Sequence, residues 1–422
     1  MTRSESEAGL SDQTLTDELV KRAEAMVAGI RLRSREAEEI RRIPEATMTE
    51  VEEAGFLKIL VPKRFGGYGL GLDALCRVTR ALAHGDCSTS WAVSFLIEHN
   101  WMLCHMDMRA QESLLAEKSY IKAAAPLMPS GEAIAVPGGY KVSGHWKYGS
   151  GACNGDWSFV TSWVTTNGER VPHTFLLAHD TVTVHDDWFM SGMAATGSVS
   201  ITAKEAFVPE ERVLRTDIFH SADEHPGASH PEAIYRYPLV PPLIIMGSSI
   251  ILGAAEAVVE LAREQLATSK LFGVARIDRP QSRARWAAAH QEVRFAQLLW
   301  EKVLAYTIAK CDVEGRWTVE EEGQLHLDVV AIAQKSKEAV RLVMDGINSS
   351  TYQLDNPLPR YQRDVDVMVS WPAFDWDVVT ERGSRWMLGL GATAADPFPP
   401  IANNKGTAHY SFVRQSEGQG VP

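Results

Sequence analysis

Twice along this chain the spacing of apolar residues changes, and that double change limits the folds open to it. Up to about residue 118, and again from about 237, apolar side chains recur every three or four positions, the period of a helix that buries one face. Between them the pattern becomes short alternating runs at 133–136, 140–146, 157–164, 174–178, 181–185 and 199–206. Alternation marks strands with one buried face, and Gly138-Gly139, Asn167-Gly168 and His179-Asp180 supply turns between them. The expectation is a mainly α chain with a central β-domain. It has an N-terminal helical domain (1–118), an antiparallel sandwich or small barrel (119–216), an exposed polar excursion (217–236), a C-terminal four-helix bundle (237–395) and a loose Pro/Gly-rich tail (396–422).

Within the first domain, Leu19, Ala23, Met26, Val27 and Ile30 keep helical spacing after a cap at Thr16-Asp17, and Pro44 interrupts the run. The bundle is expected from helices at 243–270, 281–310, 320–348 and, after Pro357 and Pro359, 365–390. Tyr237 to Ala255 carries no charge and is long enough to span a bilayer. Prolines crowd its start, and it runs on into Glu256, Glu260, Arg263 and Glu264 at helical spacing, so a buried bundle helix is expected and no membrane partner. Small-residue faces at Gly247-Ser248-Ser249 and Gly253-Ala254-Ala255 suit close packing between subunits. A formal charge of −12 without a basic stripe argues against nucleic acid. The five scattered cysteines form no Cys-x-x-Cys pair, which suits reduced thiols in the cytoplasm. The acidic start of the chain lacks the apolar core of a signal peptide.

Residues 86–105 are nearly all apolar or small, as in a helix buried on most sides, yet they carry Trp91 and His99. Eight positions apart, these lie ~80° apart around a helix and ~12 Å along it, so one pocket can take both. A buried imidazole is either a hydrogen-bonded core residue or a working group. Other chemistries find no motif. His-Glu-x-x-His, Gly-x-Ser-x-Gly and Walker A are absent, and no set of ligands has metal spacing. The glycines of 66–71 and of 389–391 do not sit between a strand and a helix as a dinucleotide loop requires.

Helices, a β-domain, then a four-helix bundle is an order that resembles the acyl-CoA dehydrogenase superfamily. The residues are similar to one branch, the oxygenase components of two-component flavin-dependent monooxygenases of the p-hydroxyphenylacetate and hydroxysteroid hydroxylase kind. The resemblance covers about 55–395. It rests on Val61-Pro62 with Phe65-Gly66-Gly67, Cys87 to Trp91 with His99, Trp146 to Gly151 with Asp156-Trp157, Gly192 with Thr196-Gly197-Ser198, Val208-Pro209, and Asn356-Pro357-Leu358 with Arg360 and Arg363-Asp364. It implies that a separate NAD(P)H:flavin reductase supplies reduced flavin (FMNH2 or FADH2). Oxygen then gives a flavin C4a-hydroperoxide that hydroxylates an aromatic, indolic or polycyclic molecule. By position it makes His99 and Ser150 catalytic. It sets Trp91, Tyr148, Ser150, Thr196, Gly197, Ser198 and Phe272 against the flavin, and Trp91, His99 and Trp371 against the substrate. It also implies a homotetramer.

Three positions depart from the branch. Trp371 stands where a histidine often contacts a substrate hydroxyl, which favours an apolar polycyclic or indolic substrate. Ser269, beside Lys270, replaces an arginine that grips FAD pyrophosphate in the dehydrogenases, leaving FMN and FAD open. The dehydrogenase base is missing, with Glu256 the nearest candidate and expected to be exposed. If His99 is a base, it needs a pKa not far from 7. The competing readings are N-oxygenation of an amine or amino sugar by the same chemistry, an FAD-dependent acyl-CoA dehydrogenase, and a flavin-free bundle protein.

Overall fold

The computed structural model describes residues 10–166, 168–220, 229–313, 317–391 and 393. Five helices come first: α1 (Asp12–Ile40), α2 (Glu45–Glu53), α3 (Leu72–Ala83), α4 (Cys87–Leu103) and α5 (Met108–Leu115). Ser11, rather than Thr16-Asp17, caps α1 by accepting a hydrogen bond from Thr14 N at 3.2 Å, while Thr16 is buried within the helix. Pro44 divides α1 from α2 as its missing donor requires.

A sheet of eight strands follows: β1 (Ala123–Ala124), β2 (Gly131–Val136), β3 (Gly139–Gly149), β4 (Trp157–Thr166), β5 (Glu169–Ala178), β6 (Thr183–Val184), β7 (Val199–Pro209) and β8 (Val213–Arg215). Their order is β6-β7-β3-β2-β4-β5-β8, with β1 beside β4. The sheet is mixed, because β1 and β2 both pair parallel with β4. This corrects the antiparallel expectation: alternation reports which face is buried, not which strand lies alongside. Trp146 fills the sheet core. A Cβ at Gly131 or Gly144 would lie 2.4 or 2.5 Å from its ring, so glycine at both positions makes room for the indole.

The bundle is built from α6 (Val240–Thr268), α7 (Pro280–Val313), α8 (Val319–Met344), α9 (Leu358–Met368) and α10 (Trp376–Met387), with the hairpin β9 (Lys270–Leu271) and β10 (Val274–Ala275) after α6. The expected fourth helix is two helices. Pro372 breaks it, and Asp375 recaps the chain by accepting from Val378 N. α6 is long and apolar enough to cross a membrane, and the apolar window is wholly buried in the fold. Its small-residue faces pack inside the chain rather than between subunits. A Cβ at Gly253 would sit 2.3 Å from the Arg80 carbonyl oxygen of α3, and Ser249 accepts a hydrogen bond from Trp300 of α7. Nor is 217–236 an exposed excursion where it is described, since Phe219, His230, Ile234 and Tyr235 are buried. The tail 396–422 lies outside the described residues.

Candidate active site around helix α4

Helix α4 runs between the sheet and the bundle. Asp86 starts it, accepting from Thr89 N at 2.8 Å and Thr89 Oγ1 at 2.7 Å. Every side chain of α4 is buried except Phe95, which is partly exposed. Phe95 lies between Trp91 and His99 on the helix surface, so the one opening onto α4 is where those two residues face.

The rings there form a chain. Trp91 meets Phe95 at 5.2 Å and Trp371 at 5.8 Å, Phe95 meets His99 at 5.4 Å, and Trp371 meets Phe374 at 5.5 Å. Trp371 and Phe374 reach the site because the chain turns at Pro372 between α9 and α10. The floor is Gly247 of α6, where a Cβ would come within 2.6 Å of Phe374 and 3.5 Å of Trp91. Phe95, Phe374 and Gly247 were missed in the sequence because packing across helices, not spacing along one, brings them in.

His99 is buried, and its Nδ1 donates to the Ala123 carbonyl of β1 at 2.6 Å. That bond fixes the tautomer and leaves the lone pair on Nε2. Burial pushes the pKa down to about 4, against the smaller upward pull of the Ala123 carbonyl. The imidazole is therefore neutral at pH 7. It serves as a hydrogen-bond acceptor, and the pKa near 7 expected of a general base is not met.

Beside this wall lies a string of hydroxyls. Ser198 Oγ is 2.8 Å from Ser150 Oγ and 2.7 Å from Thr196 Oγ1, and Thr196 Oγ1 donates to Met193 O at 2.9 Å. Gly151 N donates to Thr196 O at 2.9 Å, locking the turn after β3 to this loop. Gly151 has φ +78°, and a Cβ there would press on Leu96 of α4 at 3.2 Å, so the turn lies directly against the helix that carries His99. Gly197 is left-handed as well, at φ +55°. The loop is anchored from the bundle: Met193 N donates to Asp364 Oδ1 at 2.5 Å, and Ser88 Oγ donates to Asp364 Oδ2 at 3.1 Å. Burial pushes the Asp364 carboxyl up to about 7. Tyr148, at φ +68° and 67% exposed, stands edge-on to Trp188 at the rim.

Phe272 is not part of this cluster. It is 91% exposed at the tip of the β9–β10 hairpin. Ser269 lies elsewhere, in an open groove between α6, α7 and the loop after α8, with Arg276, Arg285, Gly346 and Asn348 on its walls. Glu256 is not exposed. Arg80 Nε donates to it at 3.0 Å, Gln297 Nε2 at 2.5 Å, and His84 Nε2 lies 3.1 Å away. Burial would raise its carboxyl, but the bonds from His84 and Arg80 outweigh that and hold the pKa at about 2. A carboxylate so held is no base for a dehydrogenase. Among the described residues no group of His, Cys, Asp and Glu could hold a metal ion.

Residues 12–111 match the acyl-CoA dehydrogenase N-terminal domain, and residues 245–376 match the C-terminal domain, together more than half of the chain. The chain belongs to the acyl-CoA dehydrogenase family. Among its relatives is a pigment production hydroxylase of a Rhodococcus species, 28% identical over 88% of this chain and 97% of that one. Another is the oxygenase component of an FADH(2)-dependent resorcinol hydroxylase of a Rhizobium species, 26% identical over 88% of this chain and 94% of that one. The structure of XiaF from a Streptomyces species, in complex with FADH2 and glycerol, superposes with a TM-score of 0.83 at 23% identity, covering 90% of this chain and 96% of that one. That likeness carries the acyl-CoA dehydrogenase-like fold, with its central mixed sheet between helical domains.

Proposed function

We propose that this family member is the oxygenase component of a two-component flavin-dependent monooxygenase acting on an aromatic, indolic or polycyclic substrate. The observation that carries the reading is the opening at Phe95. It lies among an aromatic wall and a neutral imidazole, on the helix that the Gly151 turn next to Ser150 packs against. The residues fit a reduced isoalloxazine: the half-buried Ser150 hydroxyl, backed by Ser198 and Thr196, for its polar edge, and a left-handed Gly151 turn set closely against Leu96. Bound reduced flavin, FMNH2 or FADH2, supplies the activation of O2 by the C4a route that the resemblance implies.

The chain's own groups do the rest. Ser150 offers its hydroxyl to the flavin edge, held in place through Ser198. Thr196, Gly197 and Ser198 set the line of the loop, and Tyr148 with Trp188 borders it. Trp91, Trp371 and Phe374 hold an aromatic ring and keep water out. His99 Nε2 is a fixed, neutral acceptor toward the reduced flavin and the reacting centre, holding a hydrogen bond there without taking the proton. With a tryptophan at 371, no second imidazole is available there to ionise a phenol, so an electron-rich apolar ring is the better substrate.

Phe272 meets a flavin only when chains assemble, and its exposure, with that of Phe295 and Leu298 on α7, supports a homotetramer. Light scattering that gave one chain mass would contradict the assembly. The function is tested with an NAD(P)H:flavin reductase, indole as probe and labelled O2: one labelled oxygen atom is expected in the product. Oxygen uptake independent of reduced flavin, or none at all, contradicts it. An N-oxygenase would instead give a product only from amines.

A further inference from the structure

Glu98 is the buried acid that the proposed chemistry leaves unused. It is 3% exposed, and its Oε1 is a buried atom without a hydrogen-bond partner. Three of the other buried acids among the described residues are provided for. Asp86 has Thr89 and Arg360, Asp364 has Ser88 and Met193 N, and Glu256 has Arg80, His84 and Gln297. No ion pair to Glu98 is recorded among the described residues. Burial alone raises its pKa, to about 8, and the Cys76 thiol of α3, raised chiefly by its own burial, is pushed slightly further by Glu98.

Its position gives the orphaned carboxyl a use. Seven residues after Trp91, it lies ~20° from that ring around the helix and ~10 Å along it. It therefore lies on the strip of α4 that also carries Trp91, whose ring meets Gly247, with the Cys76 thiol of α3 nearby. Phe95, the one side chain of the helix that is not buried, flanks the same strip three residues earlier. A buried acceptor without a partner costs binding energy until a donor reaches it, and a site of this kind rejects ligands that lack the donor.

Resting on the proposed function, we infer that Glu98 is a substrate-binding residue. Its carboxyl takes up the single hydrogen-bond donor of an otherwise apolar fused-ring aromatic held by Trp91, Trp371 and Phe374. The donor is a ring N–H or a ring O–H, and the test separates the two.

The test is binding, read by quenching of tryptophan fluorescence in the full chain without flavin. The probes are indole against N-methylindole, and 2-naphthol against 2-methoxynaphthalene. The wild-type chain is expected to prefer the donor member of at least one pair by roughly tenfold, the pair that does so identifying the donor. Glu98→Leu is expected to bring that ratio near one while N-methylindole or methoxynaphthalene binds no more weakly. Glu98→Gln, close in volume and still an acceptor, is expected to restore most of the preference. An unchanged ratio in Glu98→Leu, no preference in the wild type, or no saturable quenching by any probe overturns the inference. Failure of the flavin reading is separate. A chain that discriminates between these ligands but never consumes oxygen with reduced flavin keeps Glu98 as a ligand group and loses the oxygenase.

Discussion

At the scale of the residue, His99 shows how burial chooses a role. The same side chain in water would be half charged near neutrality. Here desolvation outweighs the bond to the Ala123 carbonyl and leaves a neutral acceptor. Because the folded pKa is depressed to about 4, below the unfolded value, His99 costs the fold nothing above about pH 6.5. Stability falls as pH drops from there through 4, by an expected ~3 kcal/mol at full effect, measurable as the difference between wild type and His99→Gln in denaturant titrations at pH 7 and pH 4. The same shift predicts no inflection from His99 in a rate profile between pH 6 and 9. In His99→Ala, oxygenated flavin should still form while product per flavin oxidised falls about tenfold, a loss on the scale of one hydrogen bond. Unchanged product yield would remove His99 from the mechanism.

At the scale of the element, the decisive feature is the break at Pro372. The periodicity of 365–390 reads as one helix, because both halves bury apolar residues at similar spacing. The turn between them is what delivers Trp371 and Phe374 to α4. Trp91, His99 and Ser150 were legible from the resemblance, and His99 drew attention by its place in an apolar run. Glu98 and Gly247 were not, since their meaning depends on what the neighbouring helix presents. Gly247→Ala should drive a methyl into Phe374 and cost about 1–3 kcal/mol, with weaker binding of bulky ligands read by the same quenching assay. The 193–198 loop is tied to the bundle through Asp364. Asp364→Asn, which removes one acceptor from the pair Met193 N and Ser88 Oγ, is expected to lower the unfolding midpoint and shorten the life of oxygenated flavin several-fold.

At the scale of the whole molecule, the helix–sheet–helix order was readable because burial imposes different periods on helices and strands. The parallel pairing of β2 with β4 was not, because register and neighbour choice are settled in three dimensions. Nor did the sequence betray the ion cluster that fastens the N-terminal helices to the bundle. Glu256 of α6 meets Arg80 and His84 of α3, and Arg80 lies over the Trp300 ring of α7 at 4.6 Å. Breaking it with Glu256→Gln should cost about 3 kcal/mol, because two cations then lose their buried partner. The bonds from Glu256 and Glu260 outweigh burial and raise His84 to about 9. Its contribution is therefore complete below about pH 6.5 and is lost as pH rises through 9. Thermal unfolding of wild type should show that alkaline loss, and Glu256→Gln should not.

The central claim is that the face of α4 between Trp91 and His99, with the Ser150 hydroxyl string beside it, shelters reduced flavin while it carries activated oxygen. Stopped-flow mixing tests this most directly, with the protein preloaded with chemically reduced FMN or FAD and then given oxygenated buffer. The account predicts a near-ultraviolet absorbance of oxygenated flavin that persists well beyond its life in free solution and is shortened in Ser150→Ala. Direct return to oxidised flavin at the rate of the free cofactor, in the wild-type chain, would contradict it.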